Sequence, residues 1–258
     1  MKLICINCWG GKQYDALRTY MQTHASSTDI FCLQEVFSSS VPVPEKEEMN
    51  FQLLQHLEST FPEFHFHYAP MVTAHALSRV EGVTSGNVIM IKKGITVSNH
   101  GSLYLYGAMR EYPLHAGHDI GFMQHVEIVH EGKTHTIINV HGIASWPKED
   151  SVERDAQLRV LMQFINTCAQ PVVLCGDFNL FPHTRSIREL SNVLCNLGMQ
   201  HGISTTRSEL HYNIFGRGPA VDRISDYVFV SPAMQVHHFS VPSAEISDHL
   251  PLELDYSI

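Results

Sequence analysis

The 258-residue sequence predicts an α+β fold, two packed mixed β-sheets flanked by helices in a four-layer α/β sandwich, with residues 1–258 forming one domain. Three observations predict it. Short apolar strands separated by turn residues recur through the middle of the chain, some of them pair as hairpins, and amphipathic helices fall between only some of them. That pattern fits two sheets better than a single parallel sheet. No Pro/Gly/Ser linker, low-complexity tract or internal repeat marks a second domain.

In chain order, Lys2–Cys8 reads as a strand, Tyr14–Ala25 as a helix with Leu17, Tyr20 and Met21 on one face, and Asp29–Val36 as a second strand. Phe37–Asn50 is a polar, Pro-containing loop, after which Phe51–Ser59 is helical with Asn50 as its N-cap. Phe64–Tyr68, Gly86–Lys92, Ile95–Asn99 and Ser102–Tyr106 are short strands. Gly121–His130 and Thr134–Val140 make a hairpin around Glu131-Gly132-Lys133, and its second strand runs into Asn139-Val140-His141-Gly142. Asp150 and Glu153 have capping-box spacing before a helix to about Cys168, whose Leu158, Leu161, Met162 and Ile165 form an apolar stripe. Pro171–Cys175 is a fully apolar strand ending at Gly176-Asp177-Phe178-Asn179. Ser186–Leu197 reads as a helix stopped by Gly198, and Asp226–Ser231 and Leu250–Tyr256 are the last strands.

Hydrophobic residues at 44% and charged residues at 17% describe an ordinary globular chain with a substantial interior. The formal charge of −9 lacks the basic footprint on which proteins gripping long duplex nucleic acid rely. The apolar start Leu3–Ile6 is too short for a signal-peptide core, and no stretch approaches the roughly 20 apolar residues of a membrane span, so a cytoplasmic, monomeric protein without membrane partners is expected. Six cysteines in apolar surroundings read as reduced core thiols, and Cys5 and Cys8, an odd number of positions apart in a strand, face opposite ways.

Acidic and amide residues recur where apolar strands end: Asn7, Glu35, Asp177 with Asn179, and Asp248-His249 just before Leu250. Hard divalent cations take oxygen ligands, and Mg²⁺ usually takes only one or two carboxylates while keeping waters that a substrate phosphate can displace. No zincin, serine-hydrolase elbow or Gly-Lys-Ser/Thr phosphate loop is present.

Leu33-Gln34-Glu35, Asn139-Val140-His141-Gly142, Gly176-Asp177-Phe178-Asn179, Asp226-Tyr227-Val228-Phe229 and Ser247-Asp248-His249 occur in that order, and the set resembles the motifs of the endonuclease/exonuclease/phosphatase superfamily, in particular compact bacterial-type members. Each motif alone reads equally as a strand end or an Asx turn. The resemblance implies a divalent-metal-dependent phosphoesterase using Mg²⁺ or Mn²⁺. Glu35 then resembles the principal metal ligand, with Asn7 beside it and Asp248 ligating the metal or supporting its ligands. Asp177 is similar to the residue that holds and deprotonates the attacking water, and Asn179 to the amide that orients water or phosphate. His141 and His249 suit the place of donors opposite the metal, with His249 as acid, base or electrostatic clamp, and the family pattern implies that Asp226 orients His249. Of the arginines, Arg207 is the candidate for substrate phosphate.

The superfamily spans DNA-repair nucleases, RNA deadenylases, sphingomyelinases, inositol-phosphate phosphatases and tyrosyl-DNA phosphodiesterases. The expected activity is a phosphodiesterase or nuclease on a small phosphodiester or a short nucleic-acid end. The alternatives are an inositol-phosphate type of phosphomonoesterase and a catalytically silent scaffold. The silent scaffold is disfavoured because every motif keeps a residue able to act.

Overall fold

The computed structural model describes residues 1–43, 48–112, 119–215 and 223–258. Residues 44–47 of the expected loop 37–50 lie outside that set. The elements run β1 (Lys2–Asn7), α1 (Tyr14–Ala25), β2 (Ile30–Ser38), α2 (Leu53–Thr60), β3 (Phe64–Thr73), α3 (His75–Ser78), β4 (Thr84–Lys92), β5 (Thr96–Tyr106), β6 (Gly121–His130) and β7 (Lys133–His141). They continue with α4 (Val152–Thr167), β8 (Val172–Asp177), α5 (Arg185–Val193), β9 (Cys195–Asn196), α6 (Leu197–Gln200), α7 (Glu209–Phe215), β10 (Asp226–Val230), β11 (Gln235–Ser240) and β12 (Leu252–Ser257).

The strands form two six-stranded mixed sheets, ordered β11-β12-β1-β2-β4-β3 and β5-β6-β7-β8-β10-β9. Strand alternation explains the layering. Leu3, Cys5, Ile30 and Cys32 of the first sheet meet Ile137, Val173, Cys175 and Val228 of the second in the central core. Their neighbours Ile4, Ile6, Phe31 and Leu33 face outward onto Leu17 and Met21 of α1 and Leu53 and Leu57 of α2. On the far side, Ile138, Val140, Val172 and Leu174 pack on Leu158, Leu161 and Ile165 of α4 and Ile187 and Leu190 of α5. The result is the expected four layers. Cys5 joins the central core and Cys8 the outer one, and all six thiols are free.

Several local expectations need correcting. Asp150 does not cap α4. Ser151 does, accepting from Arg154 N at 3.3 Å, while Asp150 reaches across to the start of α5 and accepts from Arg185 N at 2.7 Å and Ser186 N at 3.1 Å. The helix over Ser186–Leu197 is two helices with an extended break. Leu194 is extended, Cys195–Asn196 pairs with β10, and the Asn196 side chain caps a new turn in which Gly198 is an ordinary helical residue. Asn50 bonds Gln52 N through Oδ1 at 3.1 Å, two residues short of capping α2 at Leu53. Ile95–Asn99 and Ser102–Tyr106 are one bulged edge strand. Phe64–Tyr68 runs on through Pro70, which an edge strand tolerates because no ladder partner needs its missing N–H. The exposed edge strand β11 carries too little apolar alternation to be read from sequence.

Candidate active site

The parallel pairs β1/β2 and β7/β8 end on the same side of the molecule, and the polar residues lie there. Across the second sheet, His141 pairs with Asp177, and Asp177 with Asp226, so three site residues form one row. The row depends on two close approaches. A Cβ on Gly176, whose φ is +138°, would stand 2.0 Å from Val140 O, and one on Gly142 would stand 2.2 Å from Phe178 O. Only glycine permits these strand ends to lie so close. Asn179 adopts a left-handed φ of +51°, and its N–H donates to Asp177 Oδ1 at 2.9 Å, which fixes the carboxylate on its turn.

Opposite this row, Asn7 ends β1 and Glu35 occupies a register shift in β2 between Leu33 and Val36 with φ +56°. A bulge of this kind re-aims one side chain without losing the strand, at a conformational cost that clusters at functional positions. The Asn7 side chain joins the sheets, its Nδ2 donating to Glu35 Oε1 at 3.1 Å and to Asp177 Oδ2 at 3.2 Å. Its Oδ1 accepts from Trp9 N at 3.0 Å, which fixes the amide orientation. Asn7 therefore adjoins Glu35 as expected but presents nitrogen, which a hard cation does not bind.

His249 stands between the sheets. Its Nδ1 donates to both oxygens of Asp226, at 2.8 and 2.9 Å, and Asp226 is held in turn by Thr206 Oγ1 at 2.7 Å and Ser225 Oγ at 3.0 Å. His249 Nε2 lies 3.6 Å from Asp177 Oδ2 and 3.8 Å from Asp248 Oδ1, and the Arg207 guanidinium touches it. Arg207 also faces Asp248 Oδ2 at 3.7 Å, as does His211 at 3.6 Å, and His141 Nε2 lies 3.8 Å from Glu35 Oε1. Contacts of this length link all nine residues singled out from the sequence: Asn7, Glu35, His141, Asp177, Asn179, Arg207, Asp226, Asp248 and His249. Thr206, Ser225 and His211 join them without a signal in the sequence. Thr206 sits beside Arg207, but nothing local marks it as a partner of Asp226 twenty residues on.

Burial dominates the electrostatics, and the charged neighbours decide its outcome. For Asp177 burial raises the carboxyl, but His249, Lys148, Arg207 and His141 together hold it far below the carboxylate range. Burial lowers the His249 imidazole, and so does Arg207, yet Asp226, Asp248 and Asp177 outweigh both and raise it above its ordinary value. Asp248 falls to about 2 despite its burial, through His249, His211 and Arg207. Burial takes His141 down to about 4, so it is a neutral imidazole at pH 7. Glu35 is the exception among the carboxylates. Burial raises it, Asp248 and Asp177 raise it further, and Asn7 and His249 only partly compensate.

Asp177, Asp226 and His249 bring ligand atoms within 4.8 Å of one another. Both Asp226 oxygens are already committed to His249, Thr206 and Ser225, so that trio is a poor cation cage as it stands. Glu35 is the better fit for a divalent cation, because among the described residues it uses only Oε1, toward Asn7 and His141, and is crowded by like charges that a cation would relieve.

The model of the Endonuclease/Exonuclease/phosphatase family matches residues 4–249. No curated protein matches the chain by sequence. Among solved structures, the fold is similar to the mannosyl-6-phosphatase Bt3783 of Bacteroides thetaiotaomicron VPI-5482, with TM-score 0.70, 16% identity and 100% of each chain covered. It is similar to D. rerio TDP2 complexed with a single-strand DNA product, with TM-score 0.71 and 17% identity over 100% of this chain and 99% of that one. An endonuclease/exonuclease/phosphatase family protein from Leptotrichia buccalis C-1013-b gives TM-score 0.72 and 16% identity, with 100% of both chains covered. At such identities the likeness is one of fold.

Proposed function

The chain belongs to the endonuclease/exonuclease/phosphatase family, whose members are generally hydrolases of phosphate esters, and we propose that it is a divalent-metal-dependent phosphodiesterase or nuclease acting on a small phosphodiester or a nucleic-acid end. The observation that carries this reading is the Asn7 bridge, which brings Glu35 of one sheet and Asp177 of the other to a single amide nitrogen at 3.1 and 3.2 Å. The bridge supports the reading because it joins a carboxyl raised by burial and like charge, which a cation would relieve, to one held well below the usual range.

In this reading Glu35 is the principal ligand of Mg²⁺ or Mn²⁺, Asn7 orients it, and Asp248 supports the ligand set through Arg207 and His211. When bound, the cation supplies Lewis-acid polarisation of a phosphoryl oxygen and neutralises developing charge. Asp177 and Asn179, on one rigid turn, hold and orient the attacking water. Asp177, kept ionised by His249, Lys148 and Arg207, aligns the water through its hydrogen bond and takes up the water's proton as attack proceeds. His249, steadied by Asp226, faces the phosphoryl oxygens with Arg207, and neutral His141 offers a ring N–H from the other side.

A phosphomonoester is the second reading, favoured by the presence of both Arg207 and Lys148 in the field of the site, two cations suited to a doubly charged group. The test is a Mg²⁺ and Mn²⁺ activity screen, with a chelator control, over bis-nitrophenyl phosphate, nitrophenyl phosphate, abasic DNA, short RNA and phospholipid head-group esters. Metal-dependent release from the diester or nucleic-acid arms is the expected result. Activity confined to nitrophenyl phosphate selects the monoester reading, and chelator-resistant activity overturns the metal assignment.

A further inference from the structure

Residues 143–149, between β7 and α4, belong to none of the motifs, yet the structure ties them to the site at many points. The buried guanidinium of Arg154 donates to five backbone carbonyls: Ile143 at 3.1 Å, Ser145 at 2.6 Å, Glu149 at 2.7 Å, Asn179 at 3.4 Å, and Pro147. Four of the five lie in 143–149 and the fifth is the carbonyl of a site residue, so one side chain locks this segment onto the Asp177–Asn179 turn. Gln157 Oε1 accepts from Ile143 N at 3.1 Å, and Phe181 N donates to Lys148 O at 3.1 Å. Lys148 is thus clamped at its own carbonyl and at the carbonyls on either side.

Lys148 is half-buried and lies in the field of Asp177, Asp226 and Asp248 as well as of Arg207, and it is among the charges that hold Asp177 low. Among the described residues it forms no ion pair with any of these carboxylates, each of which has nearer partners. Asp177 is engaged by Asn7 and Asn179, Asp226 by His249, Thr206 and Ser225, and Asp248 by Arg207 and His211. Burial and Arg207 bring its pKa down to about 8, against the three carboxylates. A cation held at a polar cleft by a rigid segment, near carboxylates that are already satisfied, is suited to an incoming anion.

We propose that Lys148, presented by the Arg154-clamped segment 143–149, binds a non-bridging oxygen of the substrate phosphate. This rests on the phosphoesterase reading of the same site and extends it to a residue outside its motifs. Arg207, buried among Asp248 and His249, then supplies the inner positive charge and Lys148 the outer one. Lysine suits the outer place, since a flexible stem lets a point charge follow the phosphate as its geometry changes.

The experiment compares wild type, Lys148→Met and Lys148→Arg in two measurements: calorimetric binding of inorganic phosphate to the Mn²⁺-loaded protein, and steady-state hydrolysis of bis-nitrophenyl phosphate. Lys148→Met is expected to weaken phosphate binding and lower kcat/KM by about 10- to 100-fold, the range of one charge-assisted hydrogen bond, with Mn²⁺ affinity and melting temperature unchanged. Lys148→Arg is expected to restore at least part of the phosphate affinity. Equal phosphate affinity in Lys148→Met and wild type overturns the proposal, as does a wild type that binds no phosphate. A wild type that binds phosphate through Lys148 but hydrolyses no ester overturns the phosphoesterase reading instead.

Discussion

Asp226 meets His249 with both carboxylate oxygens, 2.8 and 2.9 Å from Nδ1, and is itself fixed by Thr206 and Ser225. The contact settles which ring nitrogen carries the first proton and leaves Nε2 to the Arg207 guanidinium and to the carboxylates of Asp177 and Asp248. Burial and Arg207 lower the imidazole, and Asp226 is the strongest of the carboxylates that nonetheless hold it above its ordinary pKa. Asp226→Asn keeps the shape and removes the charge, so the His249 pKa falls. If protonated His249 stabilises the phosphoryl oxygens, activity is present below that pKa and lost as pH rises through it. The alkaline limb of the kcat/KM profile is therefore expected to move to lower pH. A profile whose alkaline limb stays in place removes His249 as the protonated group.

Glu35→Gln tests the cation assignment. Because its carboxyl is held above the usual value by burial and by Asp248, ionised Glu35 costs stability at neutral pH, a cost that appears as pH rises past the unfolded value. The metal-free variant is expected to melt no lower than wild type, while the rise in melting temperature on adding Mn²⁺ shrinks and metal affinity falls by on the order of 10²-fold, as loss of a carboxylate near a metal commonly costs. An unchanged Mn²⁺-induced rise in the variant takes Glu35 out of the cation site.

What is legible in the sequence is what strand physics makes local. An uninterrupted apolar run such as Val172–Cys175 that stops at a polar turn marks a buried strand delivering side chains to one end of a sheet, and Asp177, His141 and Asp226 are placed in that way. Helix α1 is legible to its last residue because its apolar face repeats cleanly. Residues whose roles depend on distant partners are not. Asp150 carries a capping pattern in its own neighbourhood and spends it on α5, thirty-five positions away at Arg185 N. Lys148 sits in a loop with no periodicity, whereas Arg154 and Gln157, one turn apart on the helix after His141, read as structural bonds to loops under the site or as solvent-facing residues, and the five carbonyls on Arg154 decide for the first.

That convergence has a stability consequence. Arg154 is 2% exposed, and replacing it with Met leaves several buried carbonyls without a donor. Breaking a buried charged network of this kind costs roughly 3–5 kcal/mol, which for a chain of this size corresponds to a fall in melting temperature of about 10 °C. Thermal denaturation followed by circular dichroism checks it. A fall of less than about 2 °C, little more than half a kcal/mol on this scale, shows that the five bonds are replaceable by water.

The remaining prediction concerns Asp177 and His249 as a working pair. They come from distant parts of the chain and meet with Oδ2 and Nε2 3.6 Å apart, each held from behind: Asp177 by Asn7 and by the N–H of Asn179, His249 by Asp226. Both are held next to rigid strand ends, which is the positioning that in-line attack at phosphorus requires. If Asp177 aligns the water while His249 stabilises the oxygens it attacks across, Asp177→Ala and His249→Ala are each expected to cost on the order of 10²–10⁴ in turnover, the span of general acid–base groups. Neither contribution survives without the other, because an unaligned water gains nothing from a stabilised phosphoryl centre. The double variant is therefore expected to lose less than the product of the two single losses. Turnover of bis-nitrophenyl phosphate at saturating Mn²⁺ by both single variants and the double variant measures this. Near-wild-type turnover in either folded single variant removes that residue from the chemistry, and strictly multiplicative losses show two residues acting independently.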